Sequence, residues 1–134
     1  MRNLIFDTQS LLILYLGESG AERVEGVLED VLEKRVRGYL NVVNLAEFYY
    51  ILRRVDKNAA DEKERNLRSF GVRIVPVTPG SSLWKEAASI KADHALSLAD
   101  AFAASTALFY KGTLLTGGDV EFDKVNGLKL DRVG

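Results

Sequence analysis

Four times along this chain a charged, helix-patterned stretch ends in glycine and gives way to a short apolar run. The junctions are Arg37-Gly38 before Tyr39 to Val43, Phe70-Gly71 before Val72 to Val77, Lys111-Gly112 before Thr113 to Thr116, and Asn126-Gly127 before Leu128 to Leu130. Glycine tolerates positive φ, so it closes a helix from which the chain must turn away. With Leu4 to Phe6 near the start, the pattern predicts five strands. Strands alternating with helices of about a dozen residues need crossover connections, and these give an α/β fold with a mostly parallel sheet covered on both faces.

The hydrophobic spacing predicts helices over Ser10 to Leu16, Ala21 to Arg35, Leu45 to Val55, Ala59 to Phe70, Ser82 to Asp93 and Leu98 to Tyr110, with a short one from Val120 to Val125. No repeat, low-complexity tract or long linker interrupts them, and the only prolines, Pro76 and Pro79, flank one loop. A length of 134 residues suits one domain over 1–134 with a real core. Ser10 to Leu16 is apolar on nearly every side. Such a helix is either buried outright or wedged between the core and a second subunit or bound partner.

Composition narrows the function classes. Hydrophobic residues at 47% and charged residues at 28% suit a soluble globular protein. Eighteen Lys and Arg against nineteen Asp and Glu leave a net charge of -1, so contact with nucleic acid must come from local patches. The absence of Cys removes disulfides, Cys-type zinc clusters and thiol nucleophiles, and makes a cytoplasmic location the default expectation. The longest apolar run, Leu11 to Leu16, is too short to span a bilayer, and the start of the chain reads as neither signal peptide nor anchor. No two-histidine zinc motif, Gly-x-Ser-x-Gly elbow or phosphate-cradling glycine loop is present.

What remains is a set of acids. Asp7 closes the first strand, Glu47 follows the second, Asp100 heads the helix Leu98 to Tyr110, and Asp119 follows the fourth strand. Three of them have an ordinary structural explanation. Asn44-Leu45-Ala46-Glu47 and Ser97-Leu98-Ala99-Asp100 have capping-box spacing, and Asp119 can be the N-cap of the last short helix. Asp7 lacks such an explanation, and an unpaired carboxylate at a buried strand end costs several kcal/mol. In a parallel α/β sheet, strand ends and helix starts share one edge, where ligands bind. Four carboxylates converging there repel one another and any phosphate substrate, and a divalent cation relieves both. Mg²⁺ and Mn²⁺ favour hard oxygen ligands and activate water for phosphodiester hydrolysis.

Leu4-Ile5-Phe6-Asp7-Thr8, Val43-Asn44-Leu45-Ala46-Glu47, Leu98-Ala99-Asp100-Ala101 and Leu115-Thr116-Gly117-Gly118-Asp119, followed by Glu121-Phe122, resemble in order and spacing the motifs of the PIN-domain family. In particular they resemble its small VapC-type ribonuclease toxins, over nearly the whole chain. The resemblance implies a three-layer α/β/α sandwich in which Asp7, Glu47 and Asp100 are metal-binding acids completed by Asp119. Thr116 matches a hydroxyl often found nearby, and Thr8 is a further auxiliary candidate. It also implies one or two Mg²⁺ or Mn²⁺ ions, attack of activated water on RNA, a homodimer, and a cognate antitoxin. One departure is the pair of glycines before Asp119, where the familiar spacing often has one; Asp123 competes for its place.

Arg53, Arg54 and Lys57, and then Lys63, Arg65 and Arg68, can guide an RNA backbone or form a solvated face interleaved with Asp61, Glu62 and Glu64. Arg53 is the auxiliary candidate among them. Tyr50 can stack on a base, whereas Tyr49 and Trp84 suit core or interface packing, and His94 suits a structural role at a helix end. Two other readings compete with the ribonuclease. One is a receiver-type phosphoacceptor domain, which wants paired acids near the first strand and an acceptor Asp after the third, where this chain has Pro76-Val77-Thr78-Pro79. The other is a PIN scaffold that binds RNA or protein without cutting.

Overall fold

A computed structural model describes residues 1–134. The elements run β1 (Asn3–Phe6), α1 (Thr8–Tyr15), α2 (Ala21–Leu32), β2 (Arg37–Asn41), α3 (Val42–Val55), α4 (Ala60–Ser69), β3 (Arg73–Val75), α5 (Leu83–Asp93), α6 (Leu98–Phe109), β4 (Thr113–Thr116), a 3-10 turn (Val120–Lys124) and β5 (Lys129–Arg132). The five strands lie in the order β3-β2-β1-β4-β5 and every pairing is parallel. This is not the 2-1-3-4-5 order of a receiver domain.

Successive strand residues point to opposite faces, and each face has its own core. Phe6, Leu40 and Leu115 pack with α1 to α4, among Leu11, Leu28, Phe48 and Leu67. Their neighbours Ile5, Tyr39 and Leu114 pack with α5 and α6, among Ile90, Leu96, Ala103 and Ala107. The result is a three-layer α/β/α sandwich. Burial on both sides explains why the strands read as continuous apolar runs.

The four glycines do two different jobs. Gly71 and Gly127 have φ of 89° and 79°, the expected left-handed helix stop. Gly38 and Gly112 do not. A Cβ on Gly38 would lie 2.8 Å from Val31 Cγ2, and one on Gly112 would lie 2.6 Å from the Asn3 carbonyl oxygen. There glycine lets strand and neighbour approach, and the left-handed turns fall to Lys34 (φ 60°) and Lys111 (φ 52°).

The boundary difference that matters most for the acids is where β2 gives way to α3. Val42 and Val43, read from sequence as strand, already belong to α3, because Asn41 Oδ1 accepts the Val43 amide at 2.9 Å and caps the helix there. Helix α1 is a core helix: Thr8, Ser10, Leu11, Leu12 and Ile13 are buried, and Leu14 and Tyr15 pack partly against the core. Tyr49 packs partly against the core, but Trp84 does not belong to it; it is 41% exposed, with Nε1 donating to the Pro79 carbonyl. No helix is long and apolar enough to cross a membrane.

Candidate active site

The order of the sheet reverses between β1 and β4, and in open α/β sheets the crevice beyond the strand ends at such a point binds ligands. A cleft of about 360 Å³ lies there, and Asp7, Glu47, Asp100 and Asp119 all line it. Gln9, Leu12, Ile51, Ser97, Gly117 and Phe122 complete most of its wall. No Lys, Arg or His is among the lining residues, and none of the four acids forms an ion pair.

Asp7 follows β1 and is 1% exposed. Contrary to the sequence reading, it does cap a helix: its Oδ1 accepts the Ser10 amide at 2.7 Å at the start of α1. The other oxygen accepts a hydrogen bond from the Thr116 hydroxyl at the end of β4. Burial pushes its carboxyl above the usual range against these hydrogen bonds, with the charge of Glu47 adding to the rise.

Glu47 reverses in the opposite sense. Because α3 begins three residues earlier than expected, Glu47 sits in its second turn and Asn44 is not its cap. The capping-box explanation for Glu47 therefore falls, and its partly buried carboxylate faces the cleft without that local role. Asp100 keeps half of its box, donating its amide to Ser97 Oγ at 3.1 Å. Its carboxyl is pushed up to about 6 by burial and by the charge of Asp7, with Glu47 and Asp119 adding smaller repulsions.

Asp119 is exposed and caps the 3-10 turn through the Glu121 amide. The two preceding glycines have separate reasons. A Cβ on Gly117 would collide with Gln9 Cγ, and Gly118, at φ 133°, donates its amide to Thr116 Oγ1. Asp123 is not a cleft residue; it pairs with Arg132 at 3.0 Å, and the same guanidinium binds the Asp119 carbonyl. Arg132 thus holds the turn that presents Asp119, a role that β5 gave no sign of in sequence.

Thr8 is buried in the cleft wall and donates to the Asn44 carbonyl. Arg53 is exposed and does not line the cleft. Arg54 does not line the cleft either, but it lies seven residues after Glu47 and so on the same helical face, stacked over the Tyr50 ring at 4.9 Å. His94 caps the end of α5 and lies 3.7 Å from Glu121, a structural contact. Gln9 carried no signal in sequence, and Ser97, read only as a cap, also lines the cleft. As they stand, no three acids are gathered tightly enough to form a closed ligand cage.

A family model of the PIN domain matches residues 4–128. A comparison with curated protein sequences finds no match. Among solved structures, VapBC2 from Rickettsia felis bound to a DNA fragment from its promoter aligns with a TM-score of 0.76 at 15% identity, covering 98% of this chain and 99% of that one. VapC20 from Mycobacterium tuberculosis, a sarcin-ricin loop cleaving toxin, aligns at 0.68 with 18% identity, covering 92% and 95%. FitAcB from Neisseria gonorrhoeae aligns at 0.65 with 23% identity, covering 95% of each chain. At these identities the structures share a fold with this chain, and the family model adds the sequence pattern along almost all of it: the chain belongs to the PIN-domain family.

Proposed function

We propose that this chain, as a single nuclease domain over 1–134, is a divalent-metal-dependent endoribonuclease and the toxin of a toxin–antitoxin pair. The observation that carries the reading is the cleft that collects four carboxylates with no cationic side chain. Burying Asp7 without a charge partner is costly, and the Asp100 carboxyl is raised by burial first and by the repulsion of Asp7 second, with no cation to offset either.

The donor set fits Mg²⁺ or Mn²⁺: it is all oxygen, anionic and set on rigid elements. Such ions keep several waters and take one or two carboxylates directly, so a closed protein cage is not required. Asp7, Glu47 and Asp100 would hold the first ion, and Asp119, on its separate turn, would serve that ion or a second. When bound, the ion supplies Lewis-acid activation of water and neutralises charge on a phosphate during in-line displacement.

The chain's own residues do the rest. Thr116 and the Ser10 amide fix the rotamer of Asp7, leaving it no freedom to swing from the cleft. The starts of α1 and α6 add partial positive charge beside the acids. Arg54 with Tyr50, and Gln9 beside the acids, offer phosphate and base contacts along one side. Several structural neighbours are described as toxin–antitoxin or VapBC assemblies, which supports a protein antitoxin as partner. A homodimer and a cytoplasmic location belong to the same reading.

Incubation with single-stranded and structured RNA tests it. Cleavage that needs Mn²⁺ or Mg²⁺ and disappears in Asp7→Asn is the expected result. Metal binding without cleavage of any RNA would instead favour the non-cutting scaffold.

A further inference from the structure

The three innermost acids ride on separate elements: Asp7 caps α1, Glu47 lies on α3 and Asp100 opens α6. No single helix fixes how far apart they stand, and their repulsion acts to separate them. One side chain touches all three elements. Asn44 is fully buried, and its Nδ2 donates to the Ala99 carbonyl at 3.0 Å and to the Thr8 hydroxyl oxygen at 3.3 Å. The Thr8 hydroxyl donates in return to the Asn44 carbonyl at 3.3 Å. Thr8 follows Asp7, Ala99 precedes Asp100, and Asn44 precedes Glu47 by three residues on the same side of α3.

A second observation concerns the other end of the amide. Asn44 Oδ1 is the one buried side-chain polar atom without a hydrogen-bond partner. Leucine has nearly the same shape and would fill the site with no orphaned acceptor, so packing alone does not call for asparagine. What leucine lacks is the pair of donors that ties α1 to α6.

We propose that Asn44 is a positioning residue, an amide clamp that keeps the elements bearing Asp7, Glu47 and Asp100 around one cleft, near enough for a divalent cation to draw the three acids together. This rests on the nuclease reading. Asn44 does not line the cleft, so it acts through the acids rather than on RNA. Groups that orient ligands in this way affect metal affinity and turnover together.

Asn44→Leu in the full chain tests the clamp. Mn²⁺ binding by calorimetry and RNA cleavage with kcat and KM separated are the readouts. The Kd for Mn²⁺ should weaken and kcat should fall, each by about 10- to 100-fold, with the KM for RNA little changed. Asn44→Ser, which keeps one hydroxyl donor, should recover part of both. A Leu variant with a lowered melting temperature but wild-type Kd and kcat overturns the proposal, because a merely structural residue would behave so. If the Leu variant does not fold, the Ser variant decides: weaker Mn²⁺ binding and slower turnover support the clamp, and wild-type values overturn it. Wild-type protein that neither binds Mn²⁺ nor cuts RNA overturns the nuclease reading and the clamp with it. An active wild type with an equally active Leu variant overturns the clamp alone.

Discussion

The two edges of the sheet carry opposite charge and differ in what surrounds it. Beyond the strand ends, the acids line a cleft that contains a buried Asp7 and no cation. At the strand starts, a second cleft of about 530 Å³ is lined by Lys34, Arg37 and Arg73 and by no acid. All three of these cations are exposed, and they stand near the ends of α2 and α4, where helix carbonyls favour positive charge. The basic edge is thus accounted for by solvent and helix dipoles. The acidic edge is not, since helix starts offset only part of a buried carboxylate's cost. Clustered charge does not mark a site; clustered charge that is buried without a partner does. The formal net charge of -1 conceals both edges.

The contrast breaks most visibly at Asp7. Asp7→Asn should lower metal-dependent RNA cleavage by at least about a hundredfold. The same change should leave the melting temperature of metal-free protein equal or higher, because a neutral amide is cheaper to bury than a carboxylate. A fall in melting temperature with cleavage intact would make Asp7 a structural cap and dissolve the difference between the edges.

Asp100 sharpens the contrast through pH. With its carboxyl at about 6 against an ordinary 3.8, the folded metal-free chain holds more protons than the unfolded chain between those values. The stabilising contribution of this group is therefore present at about pH 4 and lost as pH rises through about 6. Mn²⁺ must displace that proton, so its affinity should climb between pH 5 and 7, roughly. Calorimetric titrations across that range should show the rise in wild type and a flatter profile in Asp100→Asn.

Next in size is Gly117→Ala, whose methyl would press on Gln9 and Ile13. Denaturant unfolding should register a loss of about 1–3 kcal/mol from overpacking. Thr116→Val removes the hydroxyl that donates to Asp7 and accepts from Gly118. It should cost about 1–3 kcal/mol by the same measurement, since buried Asp7 and the half-buried Gly118 amide each lose a partner. At the basic edge, Arg37→Ala should change stability by no more than about 0.5 kcal/mol and leave cleavage untouched. A large loss of cleavage there would show that the basic edge also handles substrate.

Much of the architecture was legible because glycine junctions and apolar runs report directly on backbone reversal and two-sided burial. The strand Thr113 to Thr116 matches β4 to the residue. Legibility failed where two local signals competed. Val42 and Val43 are β-branched and extend an apolar run, yet the Asn41 cap starts α3 ahead of them. That shift of about one helical turn removed the capping explanation of Glu47, and separately α1, starting at Thr8 rather than Ser10, made a cap of Asp7. Asn44 was misread for the same reason, as a cap residue rather than a buried tie. Gln9 and Arg132 carry no pattern of their own; only a sheet that brings distant segments together gives them neighbours.

The hydrogen bond between Asp7 and Thr116 joins positions 109 apart in sequence, across the β1–β4 pairing at the centre of the sheet. A chain emerging from the ribosome at about 5–20 residues per second can pack α1 to α4 on their face well before β4 exists. Until Thr116 is available, β1 lacks its neighbour on that side and Asp7 lacks the hydroxyl that sets its orientation. The orientation of Asp7, and with it the finished shape of the cleft, is therefore set late, after four helices have already packed.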